Sequence, residues 1–112
     1  MYSYYCTVIR VIDGDTFVAD IDLGFGIWLR ERHIRIYGVN TPEIDGKTKD
    51  AGMKAKAYLE EWLKQNAFDL SIVVEQKQDK FGRILARVYG LQSKNLAQNI
   101  LDEKLGVKFM DK

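Results

Sequence analysis

Residues 4–39 read YYCTVIRVIDGDTFVADIDLGFGIWLRERHIRIYGV, and this stretch decides the fold. Tyr4–Ile12 is rich in aromatic and β-branched residues, which indicates a first strand. Residues 13–15 supply turn chemistry, because the central glycine tolerates a positive φ angle. Apolar and polar residues then alternate through residues 17–21, which is the period of a second strand, and Ile27–Val39 is predicted as a long third strand.

Alternation along the third predicted strand separates a charged side chain from its apolar neighbours. Ile34 and Ile36 share one face, and Arg35 lies between them on the opposite face. We therefore expect the guanidinium group of Arg35 on the exposed side of the strand.

The second half of the chain combines helices with strands. Asp50 is the predicted cap of a helix, and residues 70–76 and 84–89 are predicted strands. Ser93 is the predicted cap of a final helix, and Gly106 is placed to end it. The apolar residues at helical spacing are Ala55, Leu59, Trp62 and Leu63 in the first helix and Leu96, Ile100, Leu101 and Leu105 in the second.

The predicted order is three strands, a helix, two strands and a helix. This order predicts an α+β chain that is mainly β, with a five-stranded oligonucleotide-binding (OB-fold) barrel and two packed helices. Another small α+β fold also agrees with the pattern. A length of 112 residues corresponds to a single domain, residues 1–112, which is large enough for one hydrophobic core.

Composition excludes several classes of protein. The chain is 46% hydrophobic and 29% charged with one proline, which excludes disordered and collagen-like chains. No apolar run approaches the roughly 20 residues of a membrane span, so we expect no membrane partner. No secretory signal precedes the first strand, so a cytoplasmic location is the default expectation, and secretion by another route stays open. The net charge of +1 is far below that of a protein that coats nucleic acid.

Asp13-Gly14-Asp15-Thr16 places two carboxylates and a hydroxyl group at one turn. Carboxylate oxygens are ligands that hard cations such as calcium prefer. The simpler interpretation is a hairpin turn, because Asp and Gly are favoured there for backbone reasons. Taken alone, this stretch favours the turn.

A second polar stretch runs from Arg35 to Glu43. The guanidinium group of Arg35 can bind a phosphate with a fork of donors. Asn40 and Thr41 offer oxygen ligands, and Glu43 is a carboxylate able to take a proton from water. The alternative is a salt bridge between Arg35 and Glu31 or another neighbour, followed by an ordinary turn.

A third polar stretch, residues 79–83, connects two predicted strands. Arg83 is a candidate second phosphate ligand, Lys80 a candidate contact to the nucleic-acid backbone, and Phe81 a candidate platform for base stacking. The alternative is a β-turn with solvated charges, which this stretch favours when taken alone.

Together and in this order, the three polar stretches resemble the staphylococcal nuclease (thermonuclease-like) family. The matching segments are residues 11–16, 34–36, 39–43 and 79–83, with further similarity at residues 95–97 and 105–106. The resemblance covers nearly the whole chain. It implies an OB-fold barrel that hydrolyses phosphodiester bonds in DNA and RNA with calcium and leaves 3′-phosphate ends.

The resemblance also implies roles for individual residues. Asp15 corresponds to the family's metal-binding aspartate, and the main-chain oxygen of Thr41 corresponds to a further ligand. Glu43 corresponds to the carboxylate that activates the attacking water. Arg35 and Arg83 correspond to the two arginines that bind the scissile phosphate.

The chain departs from the family's pattern at two places. Asn40 stands where the family commonly has an aspartate; its amide keeps an oxygen ligand but removes a negative charge, so weaker calcium binding is expected. Met110 and Lys112 stand near positions where the family's best-known member has tyrosines that line the nucleotide pocket, so base stacking is expected to differ. Asp13 is expected beside the metal ligands rather than among them.

Two other functions stay open at this point. A non-catalytic nucleic-acid- or protein-binding module on the same barrel is favoured by Asn40 and by the near-neutral charge. A purely structural interaction domain would show no salt-dependent affinity for single-stranded DNA. The leading expectation is a monomeric calcium-dependent endonuclease that acts on DNA and RNA, with single strands favoured.

Overall fold

The computed structural model describes residues 2–109, which contain a closed five-stranded β-barrel and two α-helices. In chain order the elements are β1 (Ser3–Asp13), β2 (Thr16–Gly24), β3 (Ile27–Ile36), β4 (Val39–Asn40), α1 (Lys49–Gln65), β5 (Ser71–Gln76), β6 (Ile84–Tyr89), α2 (Leu96–Asp102) and β7 (Val107–Lys108). The barrel closes in the order β1-β2-β3-β6-β5, and β4 pairs with β7 beside it. Neighbouring barrel strands are antiparallel except β3 and β6, which are parallel. The predicted mainly β fold, a five-stranded barrel with two helices, is confirmed.

The barrel interior is filled by the apolar side chains whose alternation predicted the strands. Phe17, Ile34 and Ile36 are fully buried, as are Ile72 on β5 and Val88 on β6. Burying each such side chain stabilises the fold by about 1.5–3 kcal/mol relative to leaving it exposed. A one-residue slip in strand pairing would move this set out of the core. The core therefore fixes the register of the strands and the positions of the turns between them.

The third strand is shorter than predicted. β3 ends at Ile36, and the chain turns at Gly38, whose φ angle of +91° suits glycine. Val39 and Asn40 then pair with β7 and not with a barrel strand. The prediction of one continuous strand was wrong because alternation reports which faces side chains occupy, not which strand supplies the hydrogen bonds.

The predicted apolar face of α1 is confirmed, since all four of its residues are buried. The start of the helix differs from the prediction. A short 3₁₀ turn at Gly46–Thr48 leads into Lys49, so Asp50 lies inside the first helical turn and is not the cap. At that position its negative charge still interacts favourably with the positive end of the helix dipole.

α2 begins later than predicted, because Asn95 and not Ser93 is its cap. The Asn95 side chain accepts a hydrogen bond from the Gln98 main-chain N–H at 3.2 Å, whereas Ser93 lies in a preceding 3₁₀ turn with a φ angle of +59°. Gly106 lies beyond the end of the helix, where a Cβ atom would come within 2.9 Å of the Asn40 main-chain oxygen. That glycine therefore allows β7 to approach β4. Within residues 2–109, neither helix has the length and apolar character needed to cross a membrane.

Candidate functional site

The three polar stretches of the sequence meet at one open cleft with a volume of about 630 Å³. Turns and loops between strands supply most of its walls, and β7 leads into one further wall residue, Phe109. All eight predicted site residues line it: Asp15, Arg35, Asn40, Thr41, Glu43, Lys80, Phe81 and Arg83. The fold therefore brings together residues that are widely separated along the chain.

Close packing of the β1–β2 turn brings Asp15 into the cleft. A Cβ atom at Gly14 would come within 2.6 Å of both Ala55 Cβ and Thr41 Oγ1, so the turn requires glycine for space. The positive φ angle expected from the sequence is not found at Gly14. Asp15 is buried, and its Oδ2 accepts a hydrogen bond from the Thr41 main-chain N–H at 3.0 Å while its Oδ1 accepts one from Thr16 Oγ1 at 3.2 Å. Two distant polar stretches are therefore joined through one carboxylate.

Arg35 lies buried at the cleft, which corrects the expectation of an exposed guanidinium group. Only 6% of the residue is exposed. Its Nη1 donates hydrogen bonds to the main-chain oxygens of Ile36 and Val39, the latter at 2.8 Å. Its Nη2 donates to Asn40 Oδ1 at 3.2 Å and lies 3.6 Å from Asp15 Oδ2. The prediction was wrong because alternation could not show that the turn after β3 folds back over the outer face of that strand.

The predicted alternative partner of Arg35, Glu31, lies elsewhere. Glu31 Oε1 is 3.8 Å from Arg10 Nη1, and both side chains are largely exposed. Surface pairs of this kind contribute at most about 1 kcal/mol. The buried acidic partner of Arg35 is instead Asp15.

Arg83 lies at the cleft on a turn whose own residues are hydrogen-bonded to one another. Asp79 Oδ1 accepts hydrogen bonds from the main-chain N–H groups of Phe81 and Arg83, both at 2.9 Å, and its Oδ2 accepts one from Arg83 Nε at 3.0 Å. Partial burial opposes ionisation of Asp79, but these hydrogen bonds outweigh it and lower the pKa of the carboxyl group. The β-turn that the sequence favoured is present, and it is the structure that orients Arg83.

Glu43 and Lys80 lie at the exposed edge of the cleft. The backbone of Glu43 is fixed, because its main-chain oxygen accepts a hydrogen bond from Thr48 Oγ1 at 2.9 Å and packs directly against Gly52 of α1, where any Cβ atom would overlap it. Lys80 Nζ lies 5.3 Å from the ring centre of Phe81, which is 70% exposed. The cleft therefore offers a carboxylate, a cation and an aromatic face to solvent.

Asp13 lines the same cleft beside Asp15. Its Oδ1 accepts a hydrogen bond from the Asp15 main-chain N–H at 3.1 Å. Burial, and then the neighbouring Asp15 carboxyl group, raise the pKa of Asp13 to about 6. Asp13 therefore lies beside Asp15, and its expected place beside a bound metal ion stays a prediction.

Comparison with known proteins assigns the chain to a family. The family described as staphylococcal nuclease homologue matches residues 33–110. The chain belongs to the staphylococcal nuclease family. Similar proteins include an uncharacterized protein of Methanocaldococcus jannaschii, 32% identical over 113 residues, and the thermonuclease of Staphylococcus hyicus, 32% identical over 101 residues. The alignments cover 83% and 88% of this chain but 52% of each relative, so the chain spans about half the length of the curated relatives it matches.

The cleft of this staphylococcal nuclease family member contains oxygen atoms of the chemical types that bind hard cations. Asp15 and Glu43 offer carboxylates, Asn40 an amide oxygen and Thr41 a main-chain oxygen at the same cleft. Within the described part of the chain, no three acidic, histidine or cysteine side chains gather as a metal site. Calcium accepts water among its six to eight ligands, so the chemical type of these oxygens is compatible with a calcium ion that keeps several waters.

Among the cleft residues that were given no role from the sequence, two contact the arginines. Asp79 begins the third polar stretch, and its side chain accepts a hydrogen bond from the main-chain N–H two residues later, at Phe81. An aspartate at the start of a turn commonly makes this bond, so the sequence did carry a signal for it. Phe109 has its ring centre 5.8 Å from Arg35 Cζ, a contact that depends on β7 pairing with β4 and has no local signal. The positions compared with nucleotide-pocket tyrosines, Met110 and Lys112, lie outside the described residues.

Proposed function

We propose that the chain is a calcium-dependent endonuclease that hydrolyses phosphodiester bonds in DNA and RNA, favours single strands and leaves 3′-phosphate ends. The observation that supports this most strongly is that Arg35, Glu43 and Arg83 line the same cleft as Asp15. Membership of the staphylococcal nuclease family and similarity to a thermonuclease support nucleic-acid substrates. The proposed active form is a monomer.

In the proposed reaction, Arg35 and Arg83 bind the phosphate that reacts. Both guanidinium groups stay protonated, so their positive charge stabilises the negative charge that builds up on the phosphate oxygens. The Nη groups of Arg35 already donate hydrogen bonds within the protein, which holds this charge in place at the cleft. Glu43 accepts a proton from a water molecule as the water oxygen forms a bond to phosphorus. The bond between phosphorus and the 5′ oxygen breaks, and the leaving oxygen takes a proton from solvent.

The proposed calcium ligands are Asp15, the Asn40 amide oxygen and the Thr41 main-chain oxygen. When bound there, the cation supplies positive charge that offsets charge on the phosphate oxygens. The buried position of Asp15 and its hydrogen bond from Thr41 hold the carboxylate in place before a ligand arrives. A ligand group that is already ordered loses little conformational entropy on binding.

The proposal is tested by cleavage of plasmid DNA and of end-labelled single-stranded oligonucleotides, with calcium or with a chelator. We expect cleavage that requires calcium and products whose mobility changes after phosphatase treatment, as 3′-phosphate ends require. Glu43→Gln should lower the cleavage rate by about 10²–10⁴-fold, because the amide cannot accept the proton. Glu60→Gln, at an exposed carboxylate on α1, is the matched control and should cleave like the unmodified protein.

Three outcomes contradict parts of the proposal. Cleavage by Glu43→Gln at the unmodified rate would remove Glu43 from the reaction. Cleavage that a chelator does not reduce would contradict the proposed calcium dependence. Oligonucleotide binding that weakens with salt but is never followed by cleavage would support the non-catalytic binding module instead.

A further inference from the structure

A second cavity of about 190 Å³ lies where β3, β6, β7 and the start of α2 meet. Tyr37, Arg87 and Lys108 line it, together with the amide side chains of Asn95 and Gln98. None of the described residues in its lining is acidic. A concave space with two cations and two amides is suited to an anion that also accepts hydrogen bonds, such as a phosphate group.

Arg87 is held in a defined direction at this cavity. Its Nε lies 2.8 Å from Glu75 Oε2, and its Cζ lies 5.2 Å from the ring centre of Tyr37. The side chain is nevertheless 42% exposed, so a ligand in solvent can reach it. Because these contacts already restrict a long side chain, binding an anion there costs less conformational entropy than binding at a free surface arginine.

Strand β6 connects the second cavity with the cleft. Ile84, Ala86 and Val88 point into the barrel core, and Leu85 and Arg87 therefore point outward. Leu85 lines the cleft and Arg87 lines the second cavity. A second link lies on the other side of β6, where β3 pairs in parallel with it and Tyr37, directly after β3, donates its main-chain N–H to the Ala86 oxygen at 2.8 Å. Arg35 lines the cleft, and Tyr37 lines the second cavity.

The spacing suits a continuous nucleic-acid strand. Arg83 lines the cleft, and Arg87 follows four residues later, which is about 13 Å along a strand at 3.3 Å per residue. Proteins that bind single strands commonly follow the backbone with a groove of positive charge. A strand whose reacting phosphate is bound at Arg83 reaches Arg87 within a few nucleotides.

We propose that the second cavity binds a backbone phosphate of the same nucleic-acid strand that is cleaved in the first, through Arg87 and Lys108. This inference rests on the proposed nuclease function, and it identifies oligonucleotides that extend beyond the reacting bond as the preferred substrates. A dinucleotide is too short to occupy both positions. Arg87 and Lys108 contribute binding energy to longer strands only and take no part in the reaction.

The test compares oligonucleotides of increasing length with a dinucleotide. Affinities for labelled single strands are measured in a chelating buffer over a range of salt concentrations, and KM and kcat are measured with calcium. We expect Arg87→Gln and Lys108→Gln each to weaken binding of long strands about tenfold, as loss of a charged hydrogen bond predicts. In a plot of the logarithm of the binding constant against the logarithm of the salt concentration, each variant should have a slope that is less negative by about 0.7. Cleavage of the dinucleotide should be unchanged, and for long strands KM should rise with kcat unchanged.

Two matched variants separate phosphate binding from structural damage. Glu75→Gln breaks the same ion pair as Arg87→Gln but keeps the cation, so it should bind long strands as tightly as the unmodified protein or more tightly. Arg30→Gln removes an exposed arginine that is also paired, to Asp20, and should have no effect. Weakened binding by Glu75→Gln, or binding of long strands by Arg87→Gln as tight as by the unmodified protein, would overturn the second site while cleavage by the unmodified protein still supports the nuclease. Failure of the unmodified protein to bind any strand would overturn both.

Discussion

Arg35 and Arg83 line the same cleft, yet the chain holds them in two different ways. Arg35 is 6% exposed, donates to main-chain oxygens of the turn that follows it, and contacts Asp15 and Phe109 from distant parts of the sequence. Arg83 has a side chain that is 28% exposed, and its acidic partner is Asp79 in the same turn. One guanidinium group belongs to the folded interior, and the other is attached to the surface by local contacts.

Because Arg35 is buried and Arg83 is partly exposed, substituting them should have different effects on the stability of the protein. Removing a buried charge leaves its partners without compensation, because neither water nor another side chain replaces it. Removing a partly exposed charge exposes its partner to water, which replaces most of the interaction. Substitution at Arg35 should therefore affect folding as well as cleavage, whereas substitution at Arg83 should affect cleavage alone.

The largest expected effect is that of Arg35→Ala. It leaves the main-chain oxygens of Ile36 and Val39 without their donor and Asp15 without its cation, so we expect a loss of about 3 kcal/mol in the free energy of unfolding. Denaturant unfolding measures this, and cleavage should be lost at the same time. Arg32→Ala, at an exposed position of the same strand, should unfold like the unmodified protein. Equal stability of the two variants would show that Arg35 is not part of the interior.

Arg83→Ala should lower cleavage about 100-fold, which is typical for loss of one group that stabilises the transition state. Its free energy of unfolding should change by no more than about 1 kcal/mol, because the ion pair with Asp79 is partly exposed. Steady-state cleavage and denaturant unfolding are measured side by side. Lys77→Ala removes an exposed cation from the same connection between strands and serves as control. If Arg83→Ala lowered the free energy of unfolding as much as Arg35→Ala, the proposed difference between the two arginines would be wrong.

The smallest expected effect is that of Asp79→Asn, which tests whether the turn positions Arg83. The amide keeps an oxygen for the main-chain N–H groups but cannot accept from Arg83 Nε in the same way, so kcat should fall about tenfold. Asp20→Asn is the matched control, since Asp20, like Asp79, accepts hydrogen bonds from the main chain and from one arginine, but it lies outside the cleft. The control should lose a little stability and keep full cleavage. Equal kcat in the two variants would contradict a positioning role.

The difference in stability between Asp79→Asn and the unmodified protein should depend on pH. The pKa of Asp79 is lowered in the folded state, so its ionised form stabilises the fold at pH values above the ordinary aspartate pKa of about 3.9, and this stabilisation is lost as the pH falls through the lowered value. Thermal unfolding should therefore show the unmodified protein as the more stable at neutral pH and the two proteins converging below about pH 4. A stability difference that is constant with pH would show that the charge of Asp79 contributes nothing.

Local patterns predicted the elements better than their ends. The strands and the apolar face of α1 follow from alternation and helical spacing, which are properties of near neighbours. Both predicted helix caps, Asp50 and Ser93, were wrong, although α2 does use a side-chain cap, at Asn95. Several polar residues stand near the start of each helix, and the one that caps is decided by the path of the preceding turn.

By itself, the sequence determined the five main strands, the two helices and the identity of the polar residues that now line the cleft. Those features depend on the types and spacing of neighbouring residues. Only the tertiary structure decided that Arg35 is buried, that Gly14 is needed for space and that Phe109 reaches the cleft. Burial and close approach depend on what packs against a residue from elsewhere in the chain, and no local pattern records that partner.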